Sequence, residues 1–84
     1  MHYEEIGDPV EVIALFRAGQ MSPLRFRWKN RVYKVERVNG RWSTDEGYLR
    51  CKRFAVSAGG PDIYELSYAI ETQHWELARV GMNG

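Results

Sequence analysis

The chain is 84 residues long, 44% hydrophobic and 27% charged, a balance that makes one domain over 1–84 with a modest core and excludes a disordered or membrane-like chain. Its longest apolar run, Val12 to Phe16, is far too short to span a bilayer, and the polar, acidic start from Met1 to Asp8 carries no secretory signal. Cys51 has no second cysteine to pair with, so the expected setting is the reducing cytoplasm.

A net charge of +1 hides a segregation: residues 25–53 hold ten of the twelve basic groups against Glu36, Asp45 and Glu46, and both ends are acidic. Three Trp, five Tyr and three Phe supply large buried areas and favour strands.

In chain order, the ordered core is expected over about residues 10–80. Residues 9–18 admit two readings. Asp8-Pro9-Val10-Glu11 has the form of a helix capping box with proline at the first helical position. Val10, Val12 and Ile13 are branched at Cβ and fit a strand better, and the strand reading stands first. Gly19 to Pro23 is expected as a loop.

The clearest signal follows, from Leu24 to Val35, alternating apolar and basic residues with period two and breaking at Lys29-Asn30. A two-residue turn there sets Trp28 opposite Arg31, Phe26 opposite Tyr33 and Leu24 opposite Val35. The aromatic residues then share one face, and Arg25, Arg27, Val32 and Lys34 occupy the other. Asn39-Gly40 signals a second turn, Ser43 to Gly47 a polar loop, Tyr48 to Ser57 a strand and Gly59 to Asp62 a turn. Ile63 to Ile70 and Trp75 to about Val80 read as the last two strands. The predicted fold is all-β: a single small antiparallel meander of five or six strands, curled or closed into a small barrel.

The pattern Phe26-x-Trp28-x-x-Arg31-x-Tyr33-x-Val35, Trp42, Arg53-Phe54-x-Val56, Tyr64-Glu65-Leu66 and Trp75-x-Leu77-x-Arg79-Val80 resembles a family of short bacterial proteins of unknown function. The module of that family also occurs beside or fused to translesion-polymerase-like mutagenesis proteins. The resemblance covers roughly residues 10–80 and rests on structural aromatics; Lys29-Asn30 stands where such hairpins often carry a glycine. It implies a β fold and an association with nucleic acid, and it brings no catalytic residue with it.

Chemistry-bearing residues are sparse. His2, His74 and Cys51 are far apart in sequence, without the short ligand spacing of a metal site. Cys51 reads as a structural thiol, and no phosphate loop or dinucleotide fingerprint is present. The expectation is therefore a binding module with no enzymatic activity, cofactor, membrane or small-molecule substrate.

Two partner classes remain. The first is nucleic acid, bound by Arg25, Arg27, Lys29, Arg31 and Lys34 of the hairpin, with Trp28 and Trp42 free to stack on a base or an arginine. The second is another protein or a second copy of the chain, paired through an exposed edge strand at residues 10–17. Charges that merely protect an exposed strand from aggregation would leave the same basic pattern.

Overall fold

The structure, a computed structural model, describes residues 2–82 apart from the side chain of Glu46; residues 1, 83 and 84 of the expected domain lie outside that description. Its strands are β1 (His2–Pro9), β2 (Glu11–Arg17), β3 (Gln20–Trp28), β4 (Arg31–Lys34), β5 (Arg37–Glu46), β6 (Leu49–Ser57), β7 (Ile63–Ala69) and β8 (His74–Met82). They form a five-stranded sheet in the order β1-β8-β7-β6-β5 and a three-stranded sheet in the order β2-β3-β4. Every pairing is antiparallel.

The all-β expectation holds, but among the described residues the single meander of five or six strands becomes eight strands in two open sheets. The chain changes sheet at two points. Val10 N–H donates to the Trp75 carbonyl of the large sheet at 3.2 Å before the chain enters β2. Further on, Val35 N–H bonds back to Leu24 of the small sheet and Glu36 N–H to Ser57 of the large one, both at 2.9 Å.

Residues 11–17 are strand, as their branched side chains favour. The competing Asp8-Pro9 signal sits instead at the end of β1, which the sequence reading left outside the ordered core. That strand has no apolar alternation. It is a sheet edge held by its backbone ladder to β8, with only Ile6, Asp8 and the neighbouring Val10 partly covered.

Two expected loops and one expected turn are strand as well. Ala18-Gly19, both at positive φ, turn the chain tightly and pair Arg17 with Gln20. Gln20 onward therefore belongs to β3, with Met21 and Pro23 buried. A proline in this central strand is accommodated by the register shift opposite Ile13 and Ala14, where the ladder is interrupted. Asn39-Gly40 is a bulge in β5 rather than a turn: the register shifts between Val38 and Gly40, and Asn39 Nδ2 donates to Ser57 Oγ at 2.7 Å. Ser43 to Glu46 continue the ladder to β6.

The two sheets meet through Met21 and Phe26 of β3 and Phe54, Val56, Leu66, Leu77 and Val80 of β6–β8. The shift in register between β7 and β8 makes Ala78 the extra residue, so Leu77 and Val80 both reach the core despite a spacing of three. Phe26 stacks on Tyr33 at 4.9 Å and meets Tyr64 at 5.4 Å. Arg41 of β5 adds a polar bridge, donating to the Met21 carbonyl at 2.7 Å and to Ser22 Oγ at 2.9 Å.

Candidate nucleic-acid interface

The β3–β4 hairpin turns at Lys29-Asn30, with φ of 51° and 61°. Left-handed values at both central residues match the right-handed twist of the flanking strands. Asn tolerates this conformation; Lys does so at a cost that Gly would not carry. The register is the expected one: Arg25 opposite Lys34, Phe26 opposite Tyr33, Arg27 opposite Val32 and Trp28 opposite Arg31.

On the other side of β3, Arg25 faces Ile13 and Arg27 faces Glu11. The outer face of the small sheet therefore carries two rows across its strands, Ile13–Arg25–Lys34 and Glu11–Arg27–Val32, and all six residues are exposed. Arg27 donates to the Glu11 carboxylate. Among the described residues, Arg25 and Lys34 have no carboxylate within ion-pair distance.

The seven sequence-predicted site residues do not all converge. Arg25, Arg27 and Lys34 share the outer face. Lys29 and Arg31 lie at the hairpin tip but fold back over the aromatic side, Lys29 Nζ 4.9 Å from the Trp28 ring and the Arg31 guanidinium 5.4 Å from the Tyr33 ring. Trp28, expected to be free, is half-buried and donates its indole N–H to Asp8 at 2.8 Å. Its ring leans on Tyr33, and its bulk joins the margin of the core. Trp42 stands apart on β5, opposite Arg53 of β6, with 39% of its surface exposed. Leu24, expected in the core face opposite Val35, is 43% exposed because it falls at the β3 irregularity.

The basic block of the sequence is also divided by the fold. Arg41 is spent between the sheets. Arg50 holds Glu71 at 2.9 Å, and that hydrogen bond lowers the Glu71 carboxyl below its ordinary range while raising the Arg50 guanidinium. Arg79 meets the buried Glu65 at 2.9 Å and lies 4.2 Å over Tyr3. Burial raises the Tyr64 phenol, with a smaller contribution from neighbouring Tyr33.

Two concavities meet at Pro9–Val10–Glu11. A hollow of about 380 Å³ reaches Arg27, Lys29 and Asn30 at the hairpin tip. A larger open groove of about 830 Å³ runs over Cys51, Arg53, Ser67, His74 and Glu76. Sequence reading had no signal for either, because the sheet crossing at Val10 creates both. Cys51 is buried and His74 exposed, and among the described residues no three of His, Cys, Asp and Glu gather as a metal ion would require. In comparison with known proteins, the chain matches no family model, no curated protein and no solved structure.

Proposed function

We propose that the protein is a non-enzymatic accessory module that associates with nucleic acid through the outer face of its β3–β4 hairpin. The observation that carries this reading is the pair Arg25 and Lys34, directly opposed across two strands, exposed, and without a carboxylate partner among the described residues. Like charges in that relation destabilise a sheet by about 0.2–1 kcal/mol, and the acceptor groups of a nucleic acid relieve the repulsion.

The test is fluorescence anisotropy with labelled single-stranded and duplex oligonucleotides over a range of salt. Binding weakens steeply as salt rises, with a log–log slope of about −0.9 per neutralised phosphate on B-form DNA and about −0.7 on single strands. Arg25→Gln/Arg27→Gln weakens binding at every salt concentration, and Lys34→Gln lowers the slope by about one unit. No binding to either form at low salt ends this reading.

A second reading rests on β2, an edge of the small sheet whose Ile13, Leu15 and Phe16 are 58%, 40% and 71% exposed. An open edge with apolar side chains is suited to strand pairing with a protein or a second copy. Sedimentation over a wide concentration range tests the self-pairing form, which falls if the chain stays monomeric throughout.

A further inference from the structure

Resting on the nucleic-acid reading, we infer that the occupant of the hairpin face is duplex B-form DNA, entered through the major groove, and not a single strand or an RNA duplex. The first ground is where the rings are. Proteins that hold single strands offer aromatic faces on which bases stack. Here Phe26 is 1% exposed, Tyr33 is stacked on it, and Trp28 is held by Asp8, all on the side of the hairpin away from the basic face. The basic face presents Arg25 and Lys34 without a carboxylate partner among the described residues, Arg27 held by the exposed Glu11, and the aliphatic side chains of Ile13 and Val32, 58% and 59% exposed.

The second ground is dimension. The major groove, about 12 Å wide, admits a two-stranded β-ribbon, and β3 and β4, joined by a two-residue turn, are such a ribbon at the β4 edge of the small sheet. Arg25 and Arg27 are successive outward residues of the central strand β3. Arg27 is held by Glu11 on the same face, which leaves Arg25 as the arginine presented to a base edge. Arginine forks bind the N7 and O6 acceptors of guanine, and aliphatic side chains contact thymine methyls. The A-form groove of duplex RNA is too deep and narrow for side chains to read.

The third ground is the placement of Lys34. Because Val35 N–H bonds to the Leu24 carbonyl, the neighbouring pair Arg25–Lys34 is of the non-hydrogen-bonded kind, with Cα atoms about 4.5 Å apart. Arg25 sits on the central strand and Lys34 on the edge strand β4. With Arg25 over the groove floor, Lys34 on the edge strand meets a flanking backbone phosphate.

The experiment compares, by anisotropy at fixed low salt, one mixed-sequence DNA duplex, its separate strands, the RNA duplex of the same sequence, and the DNA duplex with every guanine replaced by 7-deazaguanine. The last removes the N7 acceptor from the major groove and leaves the phosphates in place. Expected is at least tenfold tighter binding to the DNA duplex than to either single strand or the RNA duplex, and several-fold loss on 7-deazaguanine substitution. Arg25→Gln, which leaves the core face of β3 intact, is expected to erase the 7-deazaguanine effect. Equal or tighter binding to single strands or to RNA overturns the inference and leaves nucleic-acid binding standing, as does indifference to 7-deazaguanine. Absence of binding to all four removes both.

Discussion

Replacing Phe26 by Ala asks whether the three-stranded sheet is held onto the five-stranded one through this ring. Phe26 is 1% exposed and packs in the cluster that joins Met21 to Phe54, Val56, Leu66, Leu77 and Val80. Truncating a core phenylalanine to alanine costs about 3–5 kcal/mol. The ring also stacks on Tyr33 and tilts onto Tyr64, and aromatic pairs contribute about 0.5–1.5 kcal/mol beyond burial. The expected loss lies in the upper part of the range, about 4–5 kcal/mol. A chain of 84 residues has roughly 4–13 kcal/mol in total at the usual stability per residue, so the alanine variant loses from about a third of its stability to all of it. Phe26→Leu keeps most of the volume and loses the ring contacts, at a cost of about 1–1.5 kcal/mol. Urea denaturation followed by tryptophan fluorescence gives both values, provided the denaturant slope is unchanged. A loss below about 1.5 kcal/mol for Phe26→Ala would refute the reasoning, because the ring would then not be the contact between the sheets.

Two other perturbations probe the charges. Arg79→Met strands the buried carboxylate of Glu65, whereas Arg79→Met together with Glu65→Leu removes both charges. The single variant is expected to melt at a lower temperature than the double, and the reverse order would show that Glu65 tolerates solitude. The Glu71 carboxyl, lowered by its hydrogen bond to Arg50, stabilises the fold at pH above the ordinary glutamate range, and that contribution is lost as pH falls through the lowered value. Melting curves of the wild type and Glu71→Gln are therefore expected to differ near neutral pH and to converge in strong acid; a constant gap across the acid range would exclude this linkage.

Reading by residue alternation reached furthest where the chain makes local pairs. The β3–β4 hairpin, its turn at Lys29-Asn30 and every facing pair from Trp28–Arg31 to Arg25–Lys34 follow from period-two patterning and one turn. The strands expected at Tyr48 to Ser57, Ile63 to Ile70 and Trp75 to about Val80 also match β6, β7 and β8, because turn signals bound each of them. Patterning failed at β1, at the start of β3 and along the second half of β5. These stretches take their structure from backbone bonds to a partner strand, so their side chains need not alternate in hydrophobicity.

The division of the basic residues was beyond the sequence altogether. Arg25 and Arg41 look equivalent in the basic middle of the chain, yet Arg25 stands in solvent while Arg41 joins the sheets. Trp28 and Trp42 both neighbour basic residues, yet among the described residues only Trp28 finds an acceptor, on Asp8, twenty residues earlier. Alternation assigns each side chain to one of two faces of its own strand. Which of those faces is covered depends on where the chain leaves one sheet for the other, at Val10 and again at Val35–Glu36, and those crossings are stabilised by contacts between residues far apart in sequence.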